Sequence, residues 1–192
     1  MDFQIGIFVY DYEFHRDDTV SQLSLISILE SGCKEAALRN LKTQVDDSFL
    51  DGEISFWIRG ERFGGMSYAT TSLLTTCETL IRFKDYEKDG GANIIFLDYS
   101  TDFFILLNEQ DCQLKVLDYQ YETDEEGFVL SVEQTEIVSE RIPKGVFEAE
   151  IMKACTDFVS FCEKAQLPVN KDELADIKRY CLRAVNEMRG GM

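Results

Sequence analysis

NIIFLDYSTDFFILLNEQDCQLKVLDYQYETDEEGFVLSVEQTEIV, residues 93–138, is the stretch whose reading decides the fold. Ile94 to Leu97 is a compact apolar run, and Asp98 to Asp102 reads as a turn. Phe103 to Leu107 is a second run, closed by Asn108-Glu109-Gln110-Asp111. Leu114, Val116 and Leu117 carry a third, and Phe128 to Val138 a fourth. β-Branched and aromatic residues bounded by Asp, Asn, Ser and Gly are what half-buried strands require. Connections this short join only antiparallel neighbours. The stretch therefore predicts a meander, with a very acidic hairpin tip between Tyr121 and Gly127.

Working outward, Phe3 to Tyr12 alternates as a strand. Phe3, Ile5, Ile7 and Val9 share one face; Gln4, Gly6, Phe8, Tyr10 and Tyr12 share the other. That second face is aromatic, so it is either covered within the fold or available to a partner. Thr19 with Gln22 fits a capping box, and the spacing to Val45 predicts one kinked helix or two. A strand from Leu23 to Leu29 is the alternative, because Leu23, Leu25 and, after a slip, Ile28 could alternate. Residues 53–59 form a strand, and Gly60 to Gly65 turns the chain. Ser67 can cap a helix that runs to about Lys88, where Gly90-Gly91 ends it. Phe147 to Ala165 is an amphipathic helix whose stripe is Phe147, Ile151, Ala154, Cys155, Phe158, Phe161, Cys162 and Ala165. Asn170 caps the last helix, with Glu173 completing the box. The order predicts a single α+β domain over 1–192. Its sheet is mostly antiparallel (the meander 93–140 plus strands near 3–12 and 53–59), with helices packed mainly on one face.

At 192 residues, 45% hydrophobic and 29% charged, the chain has the composition of a soluble globule. Its apolar runs fall far short of the roughly 20 residues of a membrane span. The start, Met1-Asp2-Phe3-Gln4, lacks a secretory leader's features, so the expected location is the cytoplasm. Six cysteines include no Cys-x-x-Cys, and His15 is the single histidine. No structural metal or cofactor is expected, and the cysteines read as small buried thiols. The net charge is −17, which repels nucleic acid and anionic membranes and attracts basic proteins.

The templates of catalysis fail in turn. One imidazole and no Gly-x-Ser-x-Gly leave a nucleophile without its triad. Gly60-Glu61-Arg62-Phe63-Gly64-Gly65 sits where a phosphate loop would, but lacks Lys-Ser/Thr. Asp124-Glu125-Glu126 has the charge of a calcium loop without its spacing. Among 36 acidic residues, paired carboxylates are unavoidable and carry little weight. What remains is recognition. Tyr10, Tyr12, Asp17 and Asp18 put aromatics beside carboxylates after the first strand, with Asp11 and Glu13 among them. Tyr119, Tyr121, Glu122, Asp124, Glu125 and Glu126 do so at the acidic hairpin. Aromatic anchors supply contact area, and carboxylates pair bidentately with arginine.

Strand Glu53–Arg59, helix Tyr68–Lys88, the meander and the closing helix Phe147–Ala165 resemble the layout of small bacterial immunity proteins of polymorphic-toxin and contact-dependent inhibition systems. Gly90-Gly91 followed by Ile94-Ile95-Phe96-Leu97-Asp98 contributes most to the likeness, which spans roughly residues 50–165. The resemblance implies a cytoplasmic protein that binds one cognate toxin and blocks its active site; many such toxins are basic nucleases. It rests on element order and acidity, so no family residue is carried over. The leading expectation is thus a non-enzymatic inhibitor with a basic protein partner and no contact with nucleic acid or membrane. A carboxylate-based, metal-dependent enzyme and an adaptor docking through its C-terminal helices are the alternatives. Oligomeric state is open.

Overall fold

The computed structural model describes residues 2–14, 20–43, 49–65, 68–96, 101–123 and 128–190. Strands β1 (Phe3–Phe14), β2 (Val20–Ser27), β3 (Gly52–Ile58), β4 (Glu61–Arg62) and β5 (Tyr68–Thr70) form one sheet. Strands β6 (Gly91–Ile94), β7 (Thr101–Leu107), β8 (Asp111–Thr123), β9 (Val129–Val138) and β10 (Ile142–Pro143) form a second. The helices are α1 (Cys33–Thr43), α2 (Leu73–Ile81), α3 (Lys144–Ala165) and α4 (Lys171–Gly190), with 3-10 segments at Phe63–Gly65 and Phe83–Asp89. Every strand pairing is antiparallel and the class is α+β.

The division into two sheets has a local cause. β4 and β5 both pair with β3, against Trp57–Ile58 and Gly52–Ile54. Between them they take most of the edge of β3 that β1 leaves open, so the meander builds its own sheet. The two sheets meet through aromatic rings. Phe56 of β3 stacks on Phe103 of β7 at 4.9 Å, and Tyr68 meets Phe103 edge-on at 4.9 Å. Phe3 stacks on Phe147 of α3 at 5.2 Å. One contiguous cluster of buried side chains runs through both sheets and the helices.

The predicted meander is present, with Thr101 and Asp102 already inside β7. The α3 stripe is buried as its spacing required, except that Val159 is buried where Phe161 is only partly so. The Asn170 carboxamide caps α4, accepting from the Asp172 and Glu173 amides. Leu174, Ile177 and Cys181 of α4 are spent on the core, against α2 and α3.

Two local expectations are corrected. The predicted helix before Ser31 is strand β2, which pairs with β1 from Phe8↔Ser27 to Phe14↔Val20. The alternation of Leu23 and Leu25 won over the capping-box spacing, because a partner strand outweighs a few tenths of a kcal/mol of propensity. The predicted helix 68–88 begins only at Leu73. Tyr68–Thr70 is claimed by β3, and Ser72 is the cap, accepting from the Thr75 amide at 3.3 Å. Among the described residues no helix is long and apolar enough to cross a membrane.

Candidate functional site

The first sheet has one face inside and one face outside. Phe3, Ile5, Ile7 and Val9 of β1 are buried in the core. Helices α1 and α3 meet that inner side, through Arg39 on Asp11 and Phe147 on Phe3. On the outer side the register lines up Tyr12 with Leu23, Tyr10 with Leu25, Phe8 with Glu53, Gly6 with Ser55 and Gln4 with Trp57. An outer face of an antiparallel sheet is ordinarily polar. This one carries Phe8, Tyr10, Tyr12 and Trp57, with Leu23 and Leu25 respectively 52% and 42% exposed beside them.

The rings are held in place. Phe8 and Trp57 lie 6.1 Å apart and Tyr10 and Tyr12 6.2 Å apart, each pair tilted. The indole folds down over Gly6, where a Cβ would stand 2.6 Å from it, so only glycine admits this packing. Arg62 lies over the indole at 5.4 Å. The Tyr10 hydroxyl donates to Glu53 Oε1 at 2.7 Å and the Tyr12 hydroxyl to Asp51 Oδ2 at 2.9 Å. Burial first, then those carboxylates, raise both phenols above their ordinary range and keep them protonated donors. Ser55, on the same side of β3, is buried, and its Oγ finds no hydrogen-bond partner among the described residues.

Beneath this face Asn40 ties the elements together. Its side chain donates to the carbonyls of Tyr10 and Asp51 and accepts from the Asp51 amide, at 3.0, 3.1 and 3.0 Å. Strand alternation separates Asp11 from Tyr10 and Tyr12. Asp11 points to the other side, where Arg39 grips both its oxygens at 2.8 Å. The tyrosines are satisfied instead by Glu53 and Asp51, residues far along the chain. Asp17, Asp18 and His15 lie outside the described residues.

The second predicted patch sits on the β8–β9 hairpin. It is rooted by Cys112, Leu114 and Val116, all essentially inaccessible, and then runs past the core. Tyr119 pairs with Gln134, Tyr121 with Val132 and Glu122 with Ser131. Alternation again separates the types: Tyr119 and Tyr121 face one side, Glu122 the other with Asp118 and Gln120. The Tyr119 hydroxyl donates to Asp102 at 2.9 Å, and that bond raises its pKa. Tyr121 is half exposed, and Glu122 accepts from Ser131 at 2.8 Å. Asp124, Glu125 and Glu126 lie outside the described residues. Sequence reasoning took β9 as a half-buried strand, yet Val129, Leu130 and Val132 are all more than half exposed. Its Val-Leu-Ser-Val alternation gave no sign that both faces stand beyond the core.

Other chemistry has less to build on. Among the described residues no three His, Cys, Asp or Glu side chains converge into a group able to hold a metal ion. The segment Gly60–Gly65 is closed only at its centre, with Gly60, Glu61, Arg62 and Gly65 exposed. Phe63 is buried, and the Tyr68 hydroxyl fills the space above Gly64. All six cysteines are buried and unbridged, and burial pushes Cys33, Cys112 and Cys162 up to about 12. A shallow groove of about 420 Å³ lies between the β2–α1 turn and α3, with Lys34, Lys164, Glu30 and Asp157 in its walls. Compared with protein-family models, curated proteins and solved structures, the chain matches none of them.

Proposed function

We propose that this chain is a non-enzymatic binding protein that inhibits a basic protein partner. In the immunity-protein reading, the partner is a cognate bacterial toxin domain whose active site the chain occludes in the cytoplasm. The observation that carries the reading is the outer face of the first sheet. Phe8, Tyr10, Tyr12 and Trp57 are held rigidly on it, and Leu23 and Leu25 stand exposed beside them. Rigid aromatic rings with an apolar margin have the composition of an interface centre, where a few residues supply most of the affinity. The charge of −17 acts at longer range, raising the encounter rate with a cationic surface.

The test is co-expression with the product of the neighbouring reading frame in the source genome. A stable complex and relief of that product's toxicity are expected, with an association rate that falls steeply as salt is raised. Leu23→Glu with Leu25→Glu, on exposed positions, should cost about 2 kcal/mol of affinity or more and leave the fold intact. Unchanged affinity in the double variant, or a complex whose association rate ignores salt, would refute the reading.

A further inference from the structure

The geometry points to β9 as an acceptor edge: it takes an extended, cationic segment of the partner as an added antiparallel or parallel strand. The inference rests on the binding reading above and specifies how part of the partner is held. Three features of β9 carry it.

The first is an open edge. β9 is 10 residues long and, among the described residues, pairs with β8 alone. Among the described residues no strand lies along its other side. Every residue from Val129 to Glu136 is exposed. An edge strand of this length leaves a row of backbone donors and acceptors for another chain.

The second is the way the edge is guarded. Native edges are blunted by proline, lysine, bulges or shortness. β9 contains no proline and no lysine, and its register slips only next to the tip, between Glu122 and Thr123 of β8. Its guards are Glu133 and Glu136. Carboxylates reject an anionic strand, and they reject a second copy of β9. Antiparallel self-pairing centred on Glu133 sets that carboxylate opposite its own copy, and in-register parallel pairing sets each Glu beside its own copy. Like charges in those positions oppose pairing, and each chain carries −17 besides. The same guards attract lysine and arginine.

The third is the placing of the charges. With the observed register, Asp118, Glu122 and Glu133 lie on one side of the hairpin, and Tyr119, Tyr121, Val132 and Glu136 on the other. Glu136 is already paired with Lys115 at 2.6 Å. A strand added beside β9 therefore meets one carboxylate on each side, Glu133 between Ser131 and Thr135 and Glu136 beyond Leu130 and Val132. Its complement carries a basic residue toward each carboxylate and apolar residues toward Leu130 and Val132. Main-chain bonds would supply the affinity and the placing of the two basic residues the specificity.

The probe is a peptide as long as β9, 10 residues, of Val and Thr with two Lys three positions apart, titrated against the full chain by calorimetry and followed by amide hydrogen exchange. Binding is expected, with slowed exchange confined to Val129–Val138 and the adjoining turn of β8. N-methylation of alternate peptide amides, made in both phases, removes one backbone bond per methyl group. At about fivefold in affinity per bond, three such bonds weaken binding about a hundredfold in at least one phase. Equal binding by both methylated peptides would reduce the attraction to loose electrostatics and overturn the inference, as would protection confined to β1 and β3. Self-association of the free chain through β9 would also overturn it. If the peptide fails while the neighbouring gene product binds through Leu23 and Leu25, the edge inference falls and the inhibitor reading stands. If the peptide docks on β9 and that product does not bind, the edge stands and the inhibitor reading falls.

Discussion

Phe103→Ala tests whether the two sheets stand or fall together. Phe103 belongs to the second sheet and is fully buried. Its ring meets four others: Phe56 at 4.9 Å, Tyr68 at 4.9 Å, Phe96 at 5.2 Å and Phe63 at 6.4 Å. Phe56, Phe63 and Tyr68 come from the first sheet or the turn attached to it. Removing a buried ring costs about 3–5 kcal/mol, and the lost stacking puts this site toward the upper part, so ~4 kcal/mol is expected. A domain's stability is about 5–15 kcal/mol. At roughly 2–4 °C per kcal/mol for a chain of this size, the midpoint should fall by about 8–16 °C. Phe103→Leu keeps most of the apolar volume and should cost about 1.5 kcal/mol. The assay uses the single tryptophan, Trp57, which lies in the first sheet. Urea unfolding followed by its fluorescence is compared with far-UV circular dichroism, which senses both sheets. A coupled core predicts that the two midpoints move together in the Ala variant. A fluorescence midpoint that stays put while the dichroism signal splits into two steps would refute the shared core.

Two further predictions address the frame beneath the site. Asn40→Ala strips the carbonyls of Tyr10 and Asp51 and the Asp51 amide of a buried partner, and should cost about 2–4 kcal/mol with a weakened near-UV tyrosine signal; a loss below ~1 kcal/mol would mean water replaces the carboxamide. The thiols predict the alkaline limit. Burial holds Cys33, Cys112 and Cys162 at about 12 and Cys181 at about 11, each above the ordinary thiol value near 9. The folded state therefore keeps protons that the unfolded chain releases. This stability is fully present below about pH 9 and is lost as pH rises toward about 12. Tyr10, Tyr12 and Tyr68, also raised by burial, act in the same direction from about pH 10. Urea midpoints at about pH 8 and about pH 10.5 read the effect, and equal midpoints would contradict it.

How far the chain could be read depended on where each element's partners lie. The α3 stripe from Phe147 to Ala165 was legible because helical spacing within one segment sets it. Asn170 and Glu173 were legible for the same reason. Ser67, read as the cap of the second helix, lies outside the described residues, and Ser72, the observed cap, carried no local signal that singled it out. What chose Ser72 is the pairing of Tyr68–Thr70 with Gly52–Ile54, a contact no local window contains. Leu23 and Leu25 fitted strand or helix until β1 supplied a neighbour. The outer face of β1 was legible as a face, with Tyr10 and Tyr12 on it. Its acceptors were not, because Glu53 and Asp51 lie 43 and 39 residues from the tyrosines they satisfy.

Those distant acceptors change what the face can do. A tyrosine on a solvated strand samples several rotamers, and a partner must freeze it. Here the hydroxyls of Tyr10 and Tyr12 are already bonded and the indole of Trp57 is seated between Gly6 and Arg62. Immobilising a rotamer-rich side chain on binding costs about 0.5–1.5 kcal/mol, and for these rings folding has already met that cost. The carboxylates of Glu53 and Asp51 are engaged too, so they do not compete for a partner's arginines on equal terms with exposed acids. Division of labour follows from this. The first sheet offers preorganised apolar contact, which governs how slowly a partner leaves. The long-range field of the chain's surplus carboxylates governs how fast it arrives. Mutations on Leu23 and Leu25 should therefore act on dissociation, and changes in salt on association.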